Sequence, residues 1–381
     1  MDFELGEDQL LMKEAAREFA EKKLMPIAEK MDEEETIPKE IFRELAELGY
    51  YGMLLPEKYG GLGLDTLSYA CAMEELARGS AAVMVGLSVH NSLVCRAIMD
   101  WASDCIKDKY LARLASGELM GAYCLSEPGA GTDAGSLTTQ AVEKDGNFIL
   151  NGTKSWVTSA GYADIFVVFV STDRSLGSKG VSCLIIEKGM SGMELGAKER
   201  KMGLKPSDTR QVMFADCAVP KENLIGEKNQ GFKIALSLLD GGRVGIAAQA
   251  LGIAQAAFDE AYKYAHERIQ FDQPIANFQA IQFKLADMAL KIESARLMTY
   301  SAAWKKDRMG REASKYCSMA KLLASETANW VANQAVQIHG GYGYVKEYPV
   351  ERYFRDARVT EIYEGTSEAQ RMVIFRNLGK K

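Results

Sequence analysis

The sequence predicts a mainly α-helical fold with a β domain inserted between two helical ones, and three changes of pattern along the chain predict it. Apolar residues at helical spacing run through residues 1–120, short β-branched and aromatic runs broken by glycines occupy 121–225, and long helical patterns return over 226–381. At 381 residues the chain has the length of two or three mutually packed domains around a large core.

In the first segment Ile41, Leu45 and Leu48 fall at i, i+4, i+7, with Pro38 as first helical residue and Gly49 as the stop. Pro56 to Gly63 is glycine-rich turn sequence. In the second, Ile165 to Val170 and Val181 to Ile186 read as strands, with Gly152, Gly177, Gly180 and Gly192 as punctuation. Gly226 to Gly231 reads as a linker. The helix expected over about 232–266 then holds Gly241, Gly242, Gly245 and Gly252, each of which costs roughly 0.5–1 kcal/mol relative to alanine inside a helix. Something must approach that face closely, either a packed helix or an extended ligand. Asp240 and Arg243 beside it form a surface ion pair or anchor polar parts of that ligand.

Composition narrows the partners. Apolar residues are 47% and charged residues 26%, which implies order almost throughout, and Lys+Arg 46 against Asp+Glu 52 leaves no basic stripe for nucleic acid. The cysteines at 71, 95, 105, 124, 183, 217 and 317 are scattered without a C-x-x-C pair, arguing against disulfides and thiolate metal sites. The opening Met1-Asp2-Phe3-Glu4 lacks the features of a signal or transit peptide, and no apolar run approaches the roughly 20 residues of a bilayer span, so a cytoplasmic protein without membrane contact is expected. His90, His266 and His339 lack metal-ligand spacing, and no G-x-S-x-G elbow offers a serine nucleophile.

Three segments carry chemistry. YCLSEPGAGTD (residues 123–133) is a strand end followed by a glycine-rich turn; it formally matches G-x-G-x-x-A, but no helix pattern follows, which disfavours a dinucleotide Rossmann site. Its backbone amides and Ser126 suit the polar edge of a planar cofactor instead. Trp156, in KSWVTSA, either packs in the core or covers a ring system, with Thr158 as a nearby donor. IYEGTS (residues 362–367) sets Glu364 in a turn before the last helix, flanked by apolar residues. Desolvation there makes it a better base near neutral pH; the plainer alternative is a carboxylate at a helix N-terminus.

Together these segments resemble the acyl-CoA dehydrogenase family over essentially the whole chain: YCLSEPGAGTD, NGTKSWVT, LDGGRVGIAAQALG, ERIQF followed by FQ, QIHGGYGY, RYFRDAR and IYEGTSE occur in the family's order. Short-chain, butyryl-type members are the most similar. The resemblance implies an N-terminal helical domain, a middle β-barrel or sandwich domain and a C-terminal four-helix bundle. It implies FAD, with Tyr123, Leu125, Ser126, Trp156 and Thr158 holding the isoalloxazine, and Thr366 and Glu368 on its other side. Arg268, Gln279 and the Gln337 to Gly341 loop, with Gly340 and Gly341, look like residues that reach a neighbouring subunit's FAD, which implies a homo-oligomer, in this family a tetramer. Thr132, Asp240, Arg243 and Gly365 resemble acyl-CoA contacts.

Glu364 matches the family's usual base, whereas isovaleryl-type members carry theirs on the glycine-rich helix, where this chain has Gly242. The implied reaction is removal of an α-proton by Glu364 and of a β-hydride to flavin N5, giving a trans-2-enoyl-CoA, with electron-transferring flavoprotein as acceptor of the electrons. The alternatives are the same reaction on a branched or cyclic acyl-CoA, an oxidase, and a non-catalytic acyl-CoA-binding scaffold. Three departures stand out. Ser126 and Thr132 exchange the hydroxyl residues usual at those places, His339 replaces an apolar residue, and SVHNSL (residues 88–93) puts His90 and Asn91 where the end of the acyl pocket is implied.

Overall fold

The computed structural model describes residues 4–379, so the opening Met1 to Phe3 lie outside the described residues. Six helices come first: α1 (Glu7–Phe19), α2 (Ala28–Glu34), α3 (Lys39–Glu47), α4 (Thr66–Ser88), α5 (Arg96–Trp101) and α6 (Asp104–Ala115). In α3 the residue Pro38 is the N-cap, and the helix starts one residue later than the sequence suggests. Asp65 caps α4 by accepting from Ser68 N at 2.7 Å, which satisfies one of the N–H groups that a helix start leaves free.

The strands follow: β1 (Gly121–Cys124), β2 (Gln140–Lys144), β3 (Asn147–Thr158), β4 (Ile165–Ser171), β5 (Val181–Glu187), β6 (Met193–Leu195), β7 (Thr209–Pro220) and β8 (Leu224–Ile225). They form one sheet in the order β6-β7-β3-β2-β4-β5-β8, with β1 parallel to β4. β4 is buried at every residue, which is why it reads as a continuous apolar run rather than an alternating one.

The chain then returns to helix: α7 (Gly231–Glu267), a short hairpin of β9 (Ile269–Gln270) and β10 (Gln273–Pro274), then α8 (Gln279–Met309), α9 (Ser314–His339), α10 (Val350–Arg358) and α11 (Ser367–Arg376). The largest core cluster joins α1 and α4 to α7, α8 and α9, so the two helical parts share one interior.

One expectation is corrected. Thr66–Trp101 and Gly231–Glu267 are long and apolar enough to span a bilayer by length and composition alone, although no such run was expected. Their most apolar windows are 89% and 83% buried inside the protein, as suits central core helices. The seven cysteines are all free.

Candidate active site

Glu364 lies in the turn that leads into α11, and its backbone is left-handed at φ 49°, next to Gly365 at φ 96°. For a glutamate that conformation costs on the order of 1–3 kcal/mol and persists only where neighbours over-determine it. Here they do. Lys321 Nζ donates to Gly365 O at 2.7 Å, and Gln370 Nε2 donates to the carbonyls of Glu364 and Gly365 at 3.2 and 3.0 Å. Tyr363 OH bonds Gln249 of α7, and Thr366 caps α11 by accepting from Ala369 N at 3.2 Å. The N–H of Glu364 makes no hydrogen bond among the described residues.

The turn delivers the carboxyl into the interior. Although Glu364 is half-buried as a residue, its Oε2 is shielded from solvent and has no hydrogen-bond partner among the described residues. Burial raises the carboxyl to about 7, and Lys321 and Arg243 restrain the rise. This is not the solvated carboxylate of an ordinary helix N-terminus, which would be exposed and held low.

The glycine-rich face of α7 explains where the carboxyl fits. A Cβ on Gly242 would overlap Glu364 Oε2 and lie 3.0 Å from its Cδ, so the missing side chain is what makes room for the base. Gly252 serves the other purpose: a Cβ there would meet Ala77 Cβ and Arg78 N, both at 2.7 Å, which is close packing of α7 on α4. Helix packing therefore accounts for Gly252, whereas at Gly242 the group that comes close is a carboxyl of the chain itself. Asp240 and Arg243 are not a surface pair. They are 7% and 8% exposed, bonded at 2.7 Å, and joined by Ser314, while Arg243 Nε remains without a partner among the described residues.

The YCLSEPGAGTD and KSWVT segments are brought side by side. Ser155 N donates to Ser126 O at 2.9 Å, and the fully buried Lys154 bonds Leu125 O at 3.2 Å and Glu127 at 2.7 Å. Glu127 also accepts from Thr138 and Thr139. Burial works against its charge, but Lys154 and these bonds hold its carboxyl down at about 2. Trp156 is not a core residue. β3 slips register against β7 between Lys154 and Val157, Trp156 adopts φ 60°, and its ring is turned out, 64% exposed. Tyr123 OH is buried without a hydrogen-bond partner among the described residues, and that burial pushes the phenol up. Thr158 closes β3 opposite Thr209, whereas Thr132 and Glu368 are exposed.

The remaining residues gather elsewhere. Arg268, Gly340 and Gly341 line a cavity of about 680 Å³ with Tyr264, His339 and Tyr348, and Gln279 and Gln337 lie exposed outside its lining. His339 stacks on Tyr264 at 4.2 Å and is anchored through Nδ1 to Ala335 O at 2.8 Å, which leaves its Nε2 unpartnered among the described residues. Lys321 and His339 are both on α9, about 27 Å apart at about 1.5 Å per residue, so this cavity is well removed from Glu364.

Several residues of the site escaped the sequence. Lys321 is fully buried, and burial lowers its ammonium to about 8 against the pull of Glu364. The only signal was a lysine set between alanines and leucines on a helix, which ordinarily snorkels to solvent. Lys154, Glu127 and Gln370 were equally silent.

The chain matches three domain families along its length: Acyl-CoA dehydrogenase, N-terminal domain over 6–118, middle domain over 122–217 and C-terminal domain over 229–379. It is 49% identical to the mitochondrial short-chain specific acyl-CoA dehydrogenase of Rattus norvegicus over 98% of this chain and 91% of that protein. The solved butyryl-CoA dehydrogenase of Megasphaera elsdenii superposes with a TM-score of 0.97 at 46% identity, over 99% of this chain and 100% of that one. A chain solved in work on the electron transferring flavoprotein of Acidaminococcus fermentans and flavin-based electron bifurcation superposes at 0.98, with 48% identity and 100% of both chains covered.

Proposed function

The chain belongs to the acyl-CoA dehydrogenase family of FAD-dependent oxidoreductases, and we propose that it oxidises a short-chain acyl-CoA to the trans-2-enoyl thioester with Glu364 as the α-proton base. The observation that carries this reading is the unpaired, solvent-shielded Oε2 of Glu364 lying over a glycine, raised to about 7. A base matched to neutral pH is the most effective proton acceptor there, and its partnerless oxygen is free to face a substrate carbon.

The chain's own residues do most of the work by position. Glu364 Oε2 takes the α-proton; the left-handed turn fixes that oxygen, held by Lys321 and Gln370. The free N–H of Glu364 donates to the thioester oxygen, where negative charge gathers as the proton leaves. Arg243 Nε, Thr132 and Gly365 serve the polar portion of the acyl-CoA, and Asp240 keeps Arg243 oriented. When bound, FAD supplies the acceptor, at N5, for the hydride that leaves Cβ as the double bond forms.

The residues present fit that cofactor. Tyr123, Leu125, Ser126, Trp156 and Thr158 offer an outward-facing indole, a buried unpaired hydroxyl and a strand end clamped to a turn by Lys154, with Thr366 and Glu368 assigned to the other side. Gly129 and Gly131 leave open space above that turn. Arg268, Gln279, Gln337, Gly340 and Gly341, at the distant cavity, are assigned to a second subunit's FAD, which makes the enzyme a homo-oligomer, a tetramer as is usual in the family. Phe283, Leu290, Leu297 and Trp304 support that assembly: spaced seven apart on α8, they leave 45–66% of themselves exposed in one apolar stripe. Electron-transferring flavoprotein is the proposed acceptor, and the cytoplasm the proposed location.

Anaerobic addition of butyryl-CoA to the yellow holoenzyme tests the reading. Bleaching of the flavin band is expected; a band that persists with every saturated acyl-CoA offered refutes it.

A further inference from the structure

We propose that the buried Lys154–Glu127 pair is a positioning device for the flavin: acting through the Leu125–Ser126 peptide, Lys154 strengthens a backbone donor on the segment assigned to the ring and so raises its reduction potential. This rests on the assignment of that segment to FAD and is independent of Glu364 as the base.

The pair is placed by a break in β3. In a regular strand residues two apart share a face, so Lys154 and Trp156 would point the same way. They do not. The register slip against β7 between Lys154 and Val157 leaves Lys154 fully buried and Trp156 64% exposed. The same short stretch thus sends a cation inward, against Leu125 O, and an indole outward.

Both oxygens of Glu127 are committed. Oε1 accepts from Lys154 Nζ at 2.7 Å and Thr139 N at 3.0 Å; Oε2 accepts from Thr138 N at 2.6 Å and Thr138 Oγ1 at 2.8 Å. Its own backbone exchanges two bonds with Ala130, at 3.0 and 3.1 Å, which closes the turn. Lys154 also donates to Leu125 O at 3.2 Å. Burying two charges costs about as much as their attraction returns, and apolar residues of similar volume would hold the turn as well. Stability alone therefore does not explain the pair, and its contact with Leu125 does.

A trans peptide sets its N–H opposite its C=O. With Leu125 O turned to Lys154, the N–H of Ser126 faces away from the ammonium, and it makes no hydrogen bond among the described residues. The intervening C=O and C–N bonds, about 1.2 and 1.3 Å, put the ammonium at most about 6 Å from the Ser126 nitrogen. A cation on the carbonyl polarises the peptide and makes the N–H a stronger donor. A hydride carries two electrons and one proton, so a ring that takes it gains a negative charge, which donors and cations at its polar edge stabilise. At an effective dielectric of about 20, a unit charge acting over several ångströms changes such an equilibrium by about tenfold.

The test is the midpoint potential of the bound flavin, from dithionite titration of the holoenzyme against redox dyes at pH 6, which favours the ammonium. Lys154→Gln should lower the potential by about 30 mV or more, the equivalent of a tenfold change for a two-electron couple. Glu127→Gln removes the anion, keeps the cation and should raise it, and Lys154→Arg should stay near the wild type. Opposite signs in the two Gln variants separate an effect of charge from loosened packing, which would move both the same way. If Lys154→Gln retains no flavin, Glu127→Gln decides, and a potential at or below the wild-type value overturns the proposal. Equal potentials in all the flavin-loaded proteins, or a fall in both Gln variants, overturn it too. No acyl-CoA is used, so failure of the Glu364 reading leaves this result untouched; a wild type that binds no flavin overturns the cofactor assignment instead.

Discussion

Replacing Glu364 by Gln removes a charge that burial makes costly, so the effect on stability depends on pH in a way fixed by the site. Burial raises the carboxyl from 4.5 to about 7, a change worth roughly 3 kcal/mol at about 1.4 kcal/mol per tenfold in affinity for the proton. Below pH 4.5 the carboxyl is protonated in both the folded and the unfolded chain, and its contribution is fully present. Between 4.5 and 7 the unfolded chain gives up the proton while the folded one retains it, and that contribution is lost as the pH rises. The Gln variant has no proton to lose. Denaturant midpoints of the FAD-loaded wild type and variant, measured from pH 5 to pH 8, should therefore diverge, with the variant gaining up to about 3 kcal/mol at the alkaline end. Any constant offset from an imperfectly bonded amide cancels in the comparison. Parallel curves would refute the claim that this carboxyl is raised by burial.

Lys321→Met removes the ammonium that bonds Gly365 O and restrains the Glu364 carboxyl. The acid limb of the kcat/KM profile should move to higher pH and flavin reduction should slow by up to about 10²-fold, with Lys321→Arg closer to wild type in stopped-flow absorbance. Lys154→Met breaks a fully buried pair and leaves Glu127 charged among backbone groups. The loss should be about 3–5 kcal/mol by chemical denaturation. Gly242→Ala sets a methyl against the Glu364 carboxyl, so kcat should fall sharply while the flavin content of the purified protein stays at the wild-type level.

The fold was legible because the period of the apolar residues changes with the element: helical spacing around Ile41, the all-apolar run of Ile165 to Val170, then helix again from about residue 232, one residue after the observed start of α7. The role of each glycine was not, since Gly242 and Gly252 look alike in sequence and differ only in whether a carboxylate or a helix backbone lies opposite. The outward turn of Trp156 could not be read, because its strand context suits a core position equally well and the register slip that turns it arises from pairing with β7, more than 50 residues away. Asp240 and Arg243 stayed open between a surface pair and a ligand anchor because i, i+3 charges on a helix are usually exposed; their burial against Ser314 at the start of α9 is a tertiary event. The long apolar helices were underestimated because polar residues such as His90, Asn91 and Gln249 interrupt their apolar runs. Lys321 was hidden for the converse reason, since nothing local marks a lysine whose partner is a carbonyl 44 residues further on.

Single-turnover reduction of the flavin by butyryl-CoA, compared between the wild-type holoenzyme and a Glu364→Gln variant that still perturbs its flavin spectrum on binding the ligand, probes the proton transfer itself. Rapid bleaching in the wild type and none in the variant is the expected pair of results. A variant that bleaches at the wild-type rate would place the base on some other group.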